Sequence, residues 1–166
     1  EGDTWTAVHT EAGYCWMGVT VARNDANVMA AVPWSGSIMV SRDGGATWTD
    51  TGVNGGTMTA DGADVAGIGW QDITSSGDGQ YMAATVQNGD LWVSDNYGET
   101  WEERTAPGTQ VWRKIESSTD GQHIAAAAHD EGIWLSHDAG KTWNASGLDA
   151  PEAGGGNNFS GIGMSA

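Results

Sequence analysis

One eight-residue pattern recurs three times in this chain and leaves few folds open to it. It stands as Ser41-Arg-Asp-Gly-Gly-Ala-Thr-Trp48, Ser94-Asp-Asn-Tyr-Gly-Glu-Thr-Trp101 and Ser136-His-Asp-Ala-Gly-Lys-Thr-Trp143, and its last four positions occur once more as Gly2-Asp-Thr-Trp5. The shared form is Ser-x-Asp/Asn-x-Gly-x-Thr-Trp, and self-similarity of this kind marks a repeat architecture. Each position has a physical task in a tight turn between two strands. The Asp43, Asn96 and Asp138 side chains can accept hydrogen bonds from backbone N–H groups that the turn leaves unpaired. Gly45, Gly98 and Gly140 suit a backbone with positive φ. The hydroxyls of Ser41, Ser94, Ser136, Thr47, Thr100 and Thr142 can tie the flanking strands together. Trp48, Trp101 and Trp143 each bring about 150–250 Å² of mostly apolar surface. The neutral amide of Asn96 can accept the same bonds, so that copy should fold like the others.

The repeat is wider than the turn. Trp70-Gln-Asp-Ile-Thr-Ser-Ser-Gly-Asp-Gly-Gln-Tyr-Met-Ala-Ala84 matches Trp112-Arg-Lys-Ile-Glu-Ser-Ser-Thr-Asp-Gly-Gln-His-Ile-Ala-Ala126, and a looser copy starts at Trp16. Phe159-Ser-Gly-Ile-Gly-Met164 repeats only the first part. Each complete unit reads as four short strands a to d. Strand a is expected at 16–21, 70–75 and 112–117, strand b at 28–32, 81–86 and 123–127, and strand c at 37–41, 90–94 and 133–136. Strand d starts at each Thr-Trp. Asp-Gly, Asn-Gly and Ser-Gly pairs punctuate the joins. Such strands, with no helical periodicity, predict an antiparallel all-β fold. Four strands in about 40–45 residues is the period of a propeller blade.

The motif tryptophans are 43, 53 and 42 residues apart, so one interval carries an insertion. The organisation expected is the last strand of a preceding blade over 1–12, a blade over 13–52, an inserted loop over 53–66, blades over 67–106 and 107–147, and a linker with the first strand of a following blade over 148–166. That is an incomplete ring of three full blades plus parts of two. Propellers close with about four to eight blades. The readings are a segment of a larger ring, an arc completed by a second copy or another protein, or a four-bladed ring with one composite blade. A chain that opens inside a repeat motif is expected to be a processed or partial product.

The motif resembles the Asp-box, or bacterial neuraminidase (BNR) repeat, and the likeness runs over essentially the whole chain. It is similar to the blades of sialidases, Asp-box xyloglucanases, sortilin-type receptors and the photosystem II assembly-factor propellers of oxygenic phototrophs. The resemblance implies a β-propeller, with the boxes at the blade periphery and away from the axial channel. It implies a structural role for the fifteen box residues named above.

Composition narrows the partners. With 22 Asp and Glu against 6 Lys and Arg, the formal charge is −16, which repels phosphate backbones and anionic membranes. Nucleic acid and membrane insertion are therefore not expected, since no apolar run approaches the roughly 18 residues of a span. Cys15 is the single cysteine, so no internal disulfide can form, and a small buried hydrophobe is its expected role. The localisation expected is extracellular, periplasmic or the lumen of an organelle.

No catalytic constellation emerges. Sialidase chemistry requires converging arginines, yet Arg23, Arg42, Arg104 and Arg113 fall in an a–b turn, in a box, after strand d and on strand a. A glycosidase needs two carboxyls about 5–10 Å apart. Asp72 and Glu116 on successive innermost strands are the best pair, but they are offset, and Lys114 takes the frame position of Asp72. A Lys114–Asp72 ion pair across blades is the preferred reading. His9, His123, His129 and His137 have no metal-ligand spacing, and neither a metal nor a cofactor is expected. Nine of the ten tryptophans fall on repeat positions and are read as core; Trp34, after Pro33 in a b–c loop, does not. Trp34 and the insertion residues Asn54, Asp61 and Asp64 are the candidate contacts for a partner. The expected function is a non-catalytic scaffold or protein-binding module, an accessory subunit of a larger assembly, with photosystem association implied by the resemblance alone. The alternatives are a segment of a glycan-binding or glycoside-hydrolysing propeller and an extracellular structural repeat.

Overall fold

A computed structural model describes residues 13–54, 69–129 and 131–148, together with Ala7 and Gly163. Every regular element among them is a strand. The first four-stranded meander is β1 (Trp16–Val21), β2 (Met29–Pro33), β3 (Ser37–Ser41) and β4 (Thr49–Asn54). The second is β5 (Gly69–Ser75), β6 (Met82–Gly89), β7 (Leu91–Ser94) and β8 (Glu102–Arg104), and the third is β9 (Gln110–Ser117), β10 (Ile124–Ala128), β11 (Gly132–Ser136) and β12 (Asn144–Ala145). All pairings are antiparallel, and within each unit consecutive strands are neighbours. The leading end of β9 also pairs with the far end of β6, through Gln87↔Val111 and Gly89↔Gln110, which stitches the second blade to the third. This is an all-β arc of propeller blades.

The blades meet through two apolar seams. In the first, Ala22, Val28, Ala30, Val32, Ile38 and Val40 of one blade pack on Trp70, Ile73, Met82, Ala84, Val86 and Trp101 of the next. In the second, Ala83, Leu91 and Val93 pack on Trp112, Ile115, Ile124, Ala126, Ala128 and Trp143. Alternate residues of β6 thus serve opposite seams, Met82, Ala84 and Val86 facing one way and Ala83 the other. A strand buried on both faces has no reason to alternate apolar with polar, and the runs at 82–86 and 124–128 are wholly buried.

Each inner strand carries a register shift just after its tryptophan, between Trp16 and Gly18, between Trp70 and Asp72, and opposite Ala127 and Ala128. A bulge adds one residue to one strand and reverses the side on which later residues emerge. Trp70 and Ile73, three positions apart, therefore share the first seam, and Trp112 and Ile115 share the second.

Backbone hydrogen bonds reinforce the packing at corresponding positions. Asn24 N–H donates to the Gly77 carbonyl (2.6 Å), and Gly77 N–H donates to the Thr119 carbonyl (2.7 Å), so the three a–b turns form a staircase across the blades. The indole N–H of Trp70 donates to the Gly36 carbonyl (3.0 Å), and that of Trp112 to the Gly89 carbonyl (3.1 Å).

Four sequence expectations are corrected. Cys15 is exposed: it precedes β1, on a face that no described blade covers. Trp16 is 40% exposed for the same reason, whereas its counterparts Trp70 and Trp112 are sealed by the preceding blade; Trp48, Trp92 and Trp134 are only half-buried. Strand d starts after each motif tryptophan, because the Thr-Trp pair is still held in the turn, and Arg104 is consequently the last residue of β8. Strand β4 runs on through Val53 and Asn54, two residues into the stretch read as inserted loop, because Ser37 pairs with Asn54 in the ladder; 55–66 lie outside the described residues.

Candidate functional site

The inner strands β1, β5 and β9 converge on a cleft of about 300 Å³ along the axis of the arc. Its walls include Thr20 and Arg23 from the first blade, Asp72, Thr74 and Ser75 from the second, and Lys114 and Glu116 from the third. The bulges deliver these polar side chains to the axis while the tryptophans beside them turn into the seams. Lys114 Nζ lies 3.4 Å from Asp72 Oδ2, the cross-blade pair expected from the repeat frame. The same Asp72 oxygen accepts the Ile115 N–H at 3.2 Å. Ser117 N–H donates to Thr74 Oγ1 (3.1 Å), and the Thr20 and Ser75 hydroxyls are 2.9 Å apart.

Arg23 reaches Glu116 from the first blade to the third, Nη2 to Oε1 at 3.4 Å. Sequence reasoning missed this pair, because the residues are 93 positions apart and only the curvature of the arc brings them together. Burial pushes the Glu116 carboxyl above its usual range; Arg23 opposes the shift and Asp72 adds to it. Arg42, Arg104 and Arg113 stand elsewhere. Arg42 donates to the Tyr97 carbonyl (2.9 Å) in the neighbouring box, and Arg104 pairs with Glu102 on its own strand (2.5 Å). Among the described residues no group of three or more His, Cys, Asp or Glu could hold a metal ion.

The boxes lie away from this cleft, in the turns between β3 and β4, β7 and β8, and β11 and β12. In the first, Ser41 Oγ donates to Asp43 Oδ1 (2.9 Å) and accepts the Gly45 N–H (2.9 Å). Asp43 accepts the Thr47 N–H at Oδ1 (2.8 Å) and the Thr47 hydroxyl at Oδ2 (2.6 Å), while the Trp48 indole donates to the Gly45 carbonyl (3.2 Å). The third box repeats this with Ser136, Asp138, Gly140, Thr142 and Trp143. In the second, Ser94 Oγ bonds Asn96 Oδ1 and the Gly98 N–H, and Trp101 bonds Gly98. One bond there runs the other way: Asn96 Nδ2 donates to Thr100 Oγ1 (2.8 Å). The Thr47 hydroxyl, more than any other contact, holds the Asp43 carboxyl below its usual range, and the Thr142 hydroxyl does the same for Asp138.

Trp34, in the β2–β3 turn, is half-buried, and its ring lies over the next blade. A Cβ on Gly69 would stand 2.4 Å from the Trp34 carbonyl oxygen and 3.0 Å from the indole. The Trp34 N–H donates to the Cys15 carbonyl (2.6 Å). Asn54 is exposed at the end of β4 and accepts the Ser37 hydroxyl (3.0 Å). Asp61 and Asp64 lie outside the described residues.

The geometry defines a class: three four-stranded antiparallel meanders packed face to face around an axis make a β-propeller arc. Residues 91–104 match the family model described as BNR-Asp box repeat, and residues 134–145 match that described as BNR/Asp-box repeat. The chain carries Asp-box (BNR) repeats on a propeller fold. No curated protein matches the sequence. Among solved structures it is similar to YCF48 from Cyanidioschyzon merolae, with TM-score 0.59, 16% identity, and coverage of 83% of this chain and 38% of that one. YCF48 bound to D1 peptide matches with TM-score 0.59, 17% identity, and coverage of 80% and 40%. The GH74 xyloglucanase from Xanthomonas campestris matches with TM-score 0.56, 17% identity, and coverage of 80% and 18%. The chain thus spans less than half the length of each, and at these identities the likeness is one of fold.

Proposed function

We propose that this chain supplies blades to a non-catalytic propeller that binds polypeptide and serves as a scaffold or accessory subunit in a larger assembly, outside the cytoplasm. The observation that carries this reading is the state of the cleft carboxylates. Glu116 is matched by Arg23, and Asp72 is matched by Lys114 while also holding a backbone N–H of the next blade. A general base must be within reach of a substrate proton, and a cleft carboxylate already paired with a cation of another blade serves to join the blades first. YCF48 bound to D1 peptide supports a polypeptide as the ligand class; photosystem association rests on resemblance alone. The partner contacts proposed are Trp34, Asn54, Asp61 and Asp64, with a second copy or another protein completing the ring. A peptide-array screen on the full-length protein, followed by fluorescence anisotropy, should give saturable binding that Asn54→Ala, Asp61→Ala and Asp64→Ala together weaken. Absence of peptide binding overturns the proposal.

A second reading has its own observation. Glu116 is raised by burial, with Asp72 adding to the shift, and a carboxyl raised in this way is what a glycosidase uses as its general acid. Hydrolysis of a β-glucan by the full-length protein, abolished by Glu116→Gln, would establish it in place of the scaffold.

A further inference from the structure

Away from the cleft, the third blade brings two imidazoles face to edge. His123, just ahead of β10, and His137, in the β11–β12 box, have Nδ1 atoms 2.8 Å apart, ring centroids 5.1 Å apart and planes at 72°. Both side chains are exposed. The backbones that carry them are anchored independently. His123 N–H donates to Ser118 Oγ (3.0 Å), and its carbonyl accepts the Ser118 N–H (2.8 Å). His137 sits inside the Ser136–Asp138 hydrogen bond (2.9 Å), and Ala139 N–H ties that turn to the Gln122 carbonyl (3.1 Å), next to His123. The fold holds the two backbones side by side and leaves the exposed rings free to turn toward a shared ligand.

We propose that His123 and His137 form a two-imidazole chelate for a borderline-soft divalent cation of the Zn²⁺, Ni²⁺ and Cu²⁺ class. Two metal–nitrogen bonds of about 2.0–2.1 Å span about 2.9 Å at the right angle of a tetragonal Cu²⁺ or Ni²⁺ and about 3.3 Å at the tetrahedral angle of Zn²⁺. The 2.8 Å spacing of the rings fits the former directly and the latter after a slight opening. In the metal-free pair one Nδ1–H donates to the other Nδ1. When both rings carry their proton on Nε2, both Nδ1 lone pairs are free, and a small rotation of the exposed rings turns them from each other onto one cation. Imidazole selects zinc, nickel and copper, whereas calcium and magnesium prefer oxygen. The neighbouring carboxylates do not supply further ligands: Asp120 Oδ1 is taken by Ser118 and Gln122, and both Asp138 oxygens are taken within the box. They contribute field, as does the chain charge of −16, which concentrates cations at the surface. Water completes the coordination, so the site is open and labile. The corresponding positions hold Tyr81 and Asp95 in the second blade and Val28 and Arg42 in the first, so the site belongs to the third blade alone.

Isothermal titration of the full-length Cys15→Ser protein with Ni²⁺, Zn²⁺ and Cu²⁺ near neutral pH tests this, the substitution removing the exposed thiol as a competing ligand. One equivalent should bind. His123→Gln and His137→Gln should each weaken binding at least about tenfold, or 1.4 kcal/mol, while His129→Gln leaves it unchanged. Acidification should release the metal as the imidazoles take up protons. Near-ultraviolet circular dichroism of each variant checks that the blade is intact. Binding unaffected by either substitution, or none up to about 1 mM metal, overturns the proposal.

Discussion

Trp16 and Trp70 open the inner strands of successive blades at the same repeat position, yet one is 40% exposed and the other completely buried. The same holds one bulge further on, where Val19 is 67% exposed and Ile73 only 4%. The residues are alike; the neighbours differ. The first blade covers Trp70 with its own apolar face and offers the Gly36 carbonyl to the indole, while Trp16 stands on the outer side of the first described blade and stacks on Tyr14. In a solenoidal architecture a repeat supplies half of each contact, and stability is shared between units and their interfaces. A repeat position thus predicts the chemistry of a side chain, and the adjoining unit determines its energetic worth.

The largest expected effect breaks that comparison directly. Trp70→Ala should destabilise the protein by about 3–5 kcal/mol in chemical denaturation, and Trp16→Ala by about 1 kcal/mol or less. Equal losses would mean that Trp16 is covered as completely as Trp70. Next in size is Gly69→Ala, where the new methyl meets the Trp34 carbonyl oxygen across the first seam. A loss of about 1–3 kcal/mol is expected, as for overpacking elsewhere. Adding Trp34→Ala should not rescue it, since the nearest atom is backbone; rescue would place the conflict at the indole instead.

The boxes sharpen the contrast from the other side, because the bonds of the Asp43 and Asp138 carboxylates are local to each turn. Asp43 and Asp138 have folded carboxyls more acidic than in the unfolded chain. Their contribution is present above the ordinary aspartate value and is lost as pH falls through the folded value. Asp43→Asn and Asp138→Asn should therefore each flatten the acid limb of the stability–pH curve, and by similar amounts, although one box lies in the first blade and the other in the third. Asn96→Asp should steepen it, with the Thr100 hydroxyl turning its proton toward the new carboxylate. Unequal responses of the first and third boxes would tie them to the seams after all.

The smallest effect is at Glu116, whose folded carboxyl is raised. Its contribution is full below the unfolded value and is lost as pH rises through the folded one. Glu116→Gln should remove that loss and slightly stabilise the protein at neutral pH, the missing Arg23 partner offsetting part of the gain. Thermal melts from acid to neutral pH read the difference. A clear destabilisation at neutral pH would show that the link from the first blade to the third matters more than burial of the charge.

Much of the fold was legible because turn chemistry is written in adjacent residues. Asp-Gly, Asn-Gly and the Ser-x-Asp/Asn-x-Gly-x-Thr-Trp run announce their turns locally, and the inner strand of the first blade falls at 16–21 as read. The bulges were not legible, since nothing in Met17, Gln71 or Arg113 distinguishes an extra residue from an ordinary one. What the bulges control, namely which side chains reach the axis, was partly hidden with them. Lys114 and Asp72 could be paired from the frame because they sit at one position of successive repeats. Arg23 and Glu116 could not, because their meeting depends on the curvature summed over two seams. His123 and His137 escaped for a related reason: ligand spacing is sought along the chain, and these two converge across a strand pair.

The staircase of a–b turns has a further consequence for assembly. Asn24 donates to Gly77 and Gly77 to Thr119, always from an earlier blade to a later one. A series of bonds with a direction has unlike ends, a donor side and an acceptor side. Two arcs related by a twofold axis would set like ends against each other, which suits neither the hydrogen bonds nor the nested apolar faces. The association that prolongs the staircase is head to tail, a heterologous contact that closes into a ring when the rotation permits and otherwise grows as a helical fibre. Curvature per blade, more than affinity between blades, then decides between a finite toroid and a polymer.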